Sequence, residues 1–160
     1  MTIKKTLFYG AVAIIIFSGQ FLINRNMVTG PPPVLTAKTI AGGPVAKAVA
    51  SGPGMIYFWA EWCGICAMMQ NSVTKVLRDY PGMTVAVKSG RESAVKKYLG
   101  EHHLAWPVVN DSDGAIGERY GIRGVPAMFI LNSKGNIVFT TVGYSTEIGL
   151  RIRLWLAGFF

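Results

Sequence analysis

Phe58-Trp59-Ala60-Glu61-Trp62-Cys63-Gly64-Ile65-Cys66 reads FWAEWCGIC and holds both cysteines of a 160-residue chain. Two cysteines two residues apart suit a structural bond, a metal clamp or a redox pair. A disulfide across so short a loop removes little entropy from the unfolded chain, so it stabilises poorly. Tetrahedral zinc needs four ligands, and the other soft donors are His102 and His103. The flanks favour redox chemistry. Gly54 to Trp59 is a short apolar run bounded by a Gly-Pro-Gly turn, which predicts a buried strand. From Gly64 onward Ile65, Met69, Val73, Val76, Leu77 and Tyr80 recur at three and four, which predicts an amphipathic helix stopped by Pro81-Gly82. Cys63 then sits where the strand ends and the helix begins, with Cys66 one turn later. A helix start carries unpaired N–H groups and about half a positive charge. That field stabilises a thiolate on the first cysteine, while the second is the more buried. The first attacks a disulfide in another protein and the second resolves the mixed disulfide.

Outward from that junction the pattern stays α/β. Met83 to Lys88 alternates and is rich in β-branched residues, as in a strand; Arg91 to His103 predicts a helix with Val95, Tyr98 and Leu99 on one face. Pro107-Val108-Val109 reads as a short strand or extended link, and Ile116 to Tyr120 as a helical turn. Ala127 to Leu131 and Ile137 to Val142 flank Asn132-Ser133-Lys134-Gly135-Asn136, a hairpin signal. From Ser145 the pattern is ambiguous. Ile148, Leu150, Ile152 and Leu154 alternate as in a strand, while Thr146-Glu147 and Leu154-Trp155-Leu156 suit a helix. The order gives a mixed sheet flanked by helices, an early βαβ unit followed by an antiparallel hairpin.

The N-terminus sets expectations of place. Lys4-Lys5 precede a 17-residue apolar run, Leu7 to Ile23, at the short limit for crossing a bilayer. Asn24-Arg25-Asn26-Met27 offers no small-residue cleavage pattern, which favours an uncleaved anchor over a signal peptide. The lysines place residues 1–6 in the cytoplasm, 7–23 in the bilayer and the rest outside. Residues 24–33, with Pro31-Pro32-Pro33, read as a stiff linker that holds a folded domain, 34–160, off the membrane. The net charge of +8 comes from scattered residues, with no basic stripe or motif for nucleic acid.

FWAEWCGIC resembles the active-site strand and turn of thioredoxins. Arg119-Tyr120-Gly121-Ile122-Arg123-Gly124-Val125-Pro126 resembles their cis-proline segment, and Lys134-Gly135-Asn136 and Val142-Gly143-Tyr144 match the later hairpin and glycine loop. The extra stretch Gly90 to Val109 and the anchor make the chain similar to the TlpA-like branch of exported thiol-disulfide oxidoreductases. YFWAEWCGIC, PVVNDSDG and RYGIRGVP look most like the suppressor-of-copper-sensitivity D-type proteins. The resemblance implies a thioredoxin-like fold with a TlpA-type helix and strand insertion. It also implies Cys63 as nucleophile, Cys66 as resolving thiol, and Pro126 in a cis bond after Val125. Trp62, Gly64, Ile65, Gly124, Val125, Gly143 and Tyr144 would form the substrate surface, rimmed further by Trp59 and Trp106, with Trp59 the one more suited to the core. No cofactor and no metal are implied. The expected partners are envelope proteins bearing disulfides or thiols, and a DsbD-type membrane donor at the periplasmic face of a bacterial inner membrane.

The departures from thioredoxin carry information. The buried Asp of thioredoxins is Tyr57 here, its partner lysine falls near Val87, and the Glu that many TlpA-like proteins place after the second cysteine is Met69. The buried acids that take the resolving thiol's proton are thus missing, leaving water, an arriving partner or Glu61. Met68-Met69 and His102-His103 raise an alternative, a Cu(I)-binding or copper-delivery module on the same cysteines. A peroxidase would place its cysteine in a T-x-x-C context, which Ala60-Glu61-Trp62-Cys63 does not supply.

Overall fold

The computed structural model describes residues 8–9, 26–35, 39–43 and 52–160. The expected anchor at 7–23 and tail at 1–6 lie almost wholly outside the described residues. Among those described, no helix is long and apolar enough to cross a membrane.

From residue 52 onward the described chain forms, in order, β1 (Gly54–Trp59), α1 (Gly64–Asp79), β2 (Gly82–Val87), α2 (Glu92–Glu101), β3 (Val108–Asp111), α3 (Ala115–Arg119), β4 (Ala127–Leu131), β5 (Ile137–Val142) and α4 (Glu147–Ala157). They build one five-stranded sheet in the order β3-β2-β1-β4-β5. β1, β2 and β3 run parallel, while β4 is antiparallel to β1 and to β5. The expected mixed sheet is therefore present. The extended link at Pro107 proves to be a third parallel strand one residue farther on, with Thr84 opposite Val108.

The alternation of β1 divides the core in two. Met55, Tyr57 and Trp59 face a layer that includes Met69, Val73 and Val76 of α1 and Leu150, Leu154 and Ala157 of α4. Ile56 and Phe58 face Met83, Val85, Phe129, Ile116 and Tyr120. The C-terminal ambiguity resolves as a helix. Leu150, Leu154 and Ala157 are buried at helical spacing, whereas Ile148 and Ile152 are 71% and 52% exposed. The apparent strand alternation was half core and half surface. Trp106 is core rather than rim. It is buried, its ring meets Tyr57 and Trp59 edge-on, and its indole N–H donates to Thr74 Oγ1 at 2.9 Å.

The described part of the expected linker, 26–33, lies on the domain. Met27 is buried in the second core layer and Val28 N–H donates to Tyr120 O. Gly30 bridges to Ile137, and Tyr120 Oη donates to the Pro33 carbonyl. Gly121 (φ +70°) lies so close to the Asn26 carbonyl that any Cβ would collide with it. Sequence pattern missed this docking because one buried methionine among prolines and polar residues has no periodicity.

Asp111-Ser112-Asp113-Gly114 leads from the end of β3 into α3, with Gly114 as its N-cap. The buried Asp111 carboxylate accepts from Ile116 N at 2.9 Å and Gly117 N at 2.8 Å. Asp111→Ala strands both donors and costs about 2–3 kcal/mol, since hydrogen bonds to charged groups contribute more than neutral ones. Urea unfolding should show that loss with the m-value unchanged.

Candidate active site

The site stands at one end of the sheet, where β1, β2 and β5 end and β4 begins. Cys63 is the N-cap of α1, with extended backbone, and its sulfur accepts the Cys66 backbone N–H at 3.1 Å. α1 has no acidic residue in its first turn to oppose its dipole. Cys63 and Cys66 are joined in a disulfide with Cα atoms 5.2 Å apart. Cys63 is 7% exposed and Cys66 2%, so the leading sulfur is the nearer to solvent. Cys66 belongs to the core layer that holds Tyr57, Met69, Val73 and Trp106.

Opposite the pair, the Val125–Pro126 bond is cis, as the resemblance implied. The Val125 carbonyl lies 3.7 Å from Cys63 Sγ. Gly143 (φ +92°) donates its N–H to Pro126 O at 2.9 Å, so the end of β5 braces this loop. The expected site residues thus fall into three groups. Cys63, Cys66, Val125 and Pro126 converge. Gly64, Ile65 and Gly124 are exposed beside them, and a Cβ on Gly64 or Gly124 would meet nothing within 4 Å. Trp62 and Tyr144 are 63% and 58% exposed at the same end; Trp59 is core, its indole donating to Thr84 Oγ1 at 3.1 Å.

Lys88 and Ser89, at the end of β2, were missed. Lys88 adopts a left-handed backbone (φ +47°), accepts the Trp62 indole N–H on its carbonyl at 3.1 Å and donates its own N–H to Asp111 O at 2.8 Å. Ser89 Oγ accepts the Glu61 N–H at 3.1 Å and donates to Val87 O. The two residues clamp the loop that leads into Cys63. The available signal was position, since ligands of α/β sheets gather beyond the carboxyl ends of parallel strands. A cavity of about 520 Å³ opens between this clamp, α3 and Val125.

The surroundings of Cys66 lack a proton acceptor among the described residues. Tyr57 and Met69 are both fully buried, and the Tyr57 hydroxyl has no hydrogen-bond partner. Burial, then the nearby Tyr98 phenol, push the Tyr57 phenol well above its ordinary range. Asp111 is the one buried carboxylate described, and it is engaged at α3. His102 stacks on Tyr98 at the end of α2, and no group of three or more His, Cys, Asp or Glu converges among the described residues.

Comparison with known proteins places this geometry. The AhpC/TSA family matches residues 28–140. A "Thioredoxin-like protein" of Haemophilus influenzae is 35% identical over 109 residues, 68% of this chain and 65% of that protein, so the chain spans just under two thirds of its length. "Sporulation thiol-disulfide oxidoreductase A" of Bacillus subtilis is 26% identical over 127 residues, 75% of this chain and 77% of that protein. A thiol:disulfide interchange protein of Chlorobium tepidum superposes with a TM-score of 0.69 at 20% identity, covering 81% of this chain and 97% of its own; it shows the same fold.

Proposed function

The chain belongs to the AhpC/TSA family, and from that premise we propose that it is a thioredoxin-like protein disulfide oxidoreductase that reduces disulfides in proteins of the bacterial envelope through Cys63 and Cys66. The observation that carries the proposal is the Cys63 sulfur at the tip of a 16-residue helix, accepting a backbone N–H at 3.1 Å. In the reduced protein that bond and the helix dipole favour the thiolate over the thiol. The Val125 backbone, beside the sulfur, offers an edge on which a substrate segment pairs like an added strand.

The direction is supported by the family resemblance and the address by the N-terminal run. Gly64-Ile65 between the cysteines is neither the Gly-Pro of reducing thioredoxins nor the Pro-His of periplasmic oxidants, so the reducing direction rests on the TlpA-like resemblance. A DsbD-type membrane donor would return the protein to the dithiol form. The 17-residue run after Lys4-Lys5 suits a tether to the inner membrane with the domain on its outer face. With Met27 already docked, few residues separate the end of that run from the fold, which would hold the active site close to the bilayer. Copper tolerance and cytochrome c maturation are the contexts that fit such a reductase. A copper-delivery role on the same sulfurs is distinguished by titrating the thiols with and without Cu(I).

Alkylation of the reduced protein tests the reading. One thiol should react with iodoacetamide along a titration curve whose midpoint lies below the free-cysteine value of about 8.5, and the second should react far more slowly. A midpoint at or above the free value, or two unreactive sulfurs, would overturn the proposal.

A further inference from the structure

The cavity beside Cys63 shares Trp62, Gly124 and Val125 with the expected substrate surface, but its charged wall has no role in the chemistry above. Trp62, Lys88, Asp113, Glu118, Arg123 and Val125 carry its side chains of interest, and Gly114, Gly117 and Gly121 keep its wall low. We propose that this cavity is a substrate subsite that receives the polypeptide segment flanking the attacked cysteine and selects a carboxylate next to that cysteine. The inference rests on Cys63 being the attacking sulfur.

Position comes first. Trp62 precedes Cys63 in the chain, and Val125 O lies 3.7 Å from its sulfur; both line the cavity. A substrate bonded to Cys63 and lying along Val125 must set its neighbouring side chain on this rim. The volume of about 520 Å³ exceeds one side chain and suits a short peptide segment, within the range of about 300–1,000 Å³ usual for ligand pockets. The walls are fixed in advance. Trp62 is held by the Lys88 carbonyl, and the left-handed Lys88 backbone is held by Asp111 O. The Lys88 side chain lies over Gly114 (φ +86°), where a Cβ would strike its Cε.

Charge gives the preference. Four charged groups face the cavity, Lys88 and Arg123 against Asp113 and Glu118. Arg123 is two residues from Val125, which puts its cation on the rim next to the sulfur, while the Lys88 side chain reaches over Gly114. Neither has a carboxylate within 4.0 Å among the described residues. Arg123 has a neutral partner, the Asn26 amide turned with its oxygen toward the guanidinium, and so keeps its charge available. Asp113 precedes α3 and Glu118 is its next-to-last residue, and Asp113 already accepts the Ala115 N–H at 3.0 Å. Beside these two acids a cation is favoured over a further acid. The net charge of +8 adds a field that draws acidic segments in.

Three disulfide-linked homodimeric pentapeptides, identical except for Asp, Asn or Lys beside their single cysteine, provide the test. Each is reduced by the dithiol form of the full chain at pH 7, and each rate is divided by that of dithiothreitol with the same peptide to remove intrinsic reactivity. The Asp peptide should exceed the Lys peptide about fivefold in kcat/KM at low salt, with Asn between, and the order should fade as salt rises. Arg123→Glu and Lys88→Glu should each erase or invert the order, with circular dichroism confirming the fold. Should one variant fail to fold the other serves, and the wild-type order with its salt dependence is decisive alone. Equal rates for the three peptides, or a faster Lys peptide, overturn the subsite while leaving Cys63 as nucleophile intact. Failure of all three peptides to react removes the nucleophile reading, and the subsite with it.

Discussion

Cys63→Ser reduces disulfide exchange to background, and Cys66→Ser turns the protein into a covalent trap. The two outcomes differ because the sulfurs occupy different places. Cys63 lies at the helix tip beside the Val125 carbonyl, 7% exposed, while Cys66 is 2% exposed within the core. The Cys63 thiolate attacks one sulfur of a substrate disulfide, that S–S bond breaks, and the other substrate sulfur leaves as a thiolate. Cys66 then attacks Cys63 Sγ, and the mixed disulfide breaks to release the second substrate thiol. In the proposed reducing direction the protein ends oxidised and the substrate reduced by two electrons. Serine at 66 removes the second attack, so adducts persist on Cys63 and appear as slower bands on non-reducing gels. Identifying those bands from cells names the substrates. Adducts on Cys63→Ser and none on Cys66→Ser would reverse the roles. The resolving step has a second signature. Glu61 is exposed and tied through its backbone to Ser89, so Glu61→Gln should leave the decay of the wild-type mixed disulfide unchanged at neutral pH. A strong slowing would make Glu61 the proton acceptor in place of water or an arriving partner.

The parts of this molecule written as local pattern were legible in its sequence. The strand at Gly54, the helix with buried positions Cys66, Met69, Val73 and Val76, and the hairpin around Gly135 each carry their own periodicity or turn chemistry. The cysteine pair located the site because its spacing and its place at a strand-to-helix junction are visible in one dimension. What stayed hidden depends on distant partners. Trp106 reads as a rim aromatic until β3 pairs with β2 and delivers it to Thr74. The run 26–33 reads as a spacer until Tyr120 and Ile137 bond to it. Lys88 reads as the last residue of a strand. Its left-handed turn, and hence the clamp on Trp62, follows from bonds to Asp111 and Trp62 across the loop. The C-terminal helix shows the opposite case, a local pattern compatible with two periods that burial against the sheet decided.

Above pH 10 the fold should lose stability steeply, and Tyr57→Phe should remove part of that loss. Tyr57 is fully buried, its hydroxyl without a hydrogen-bond partner among the described residues, and burial raises its phenol well above the ordinary value of 10.0. Tyr120, also buried, is pushed up to about 12, with Arg119 opposing the shift. In both cases the folded pKa exceeds the unfolded one. Their contribution is therefore fully present below pH 10 and is lost as pH rises through the window toward the folded values. Each phenol contributes at most about 1.4 kcal/mol per pH unit within it. Urea midpoints of the oxidised protein, in which no thiol titrates, should fall between pH 9 and 11 for the wild type and fall less for Tyr57→Phe. Lysines titrate in the same range, so the difference between the two curves is the informative quantity. At pH 7 the variant should be as stable as the wild type or more so by about 1 kcal/mol, because it deletes a buried hydroxyl that bonds to nothing. Parallel curves would mean that Tyr57 ionises freely and that water reaches this layer of the core. The same measurement bears on the chemistry, for Tyr57 occupies the place of the buried acid of thioredoxins. A phenol held protonated throughout the physiological range cannot take the Cys66 proton. A shallower Tyr57→Phe curve combined with an unchanged resolving rate would therefore leave the proton to solvent or to an arriving partner, and the layer around Cys66 to packing alone.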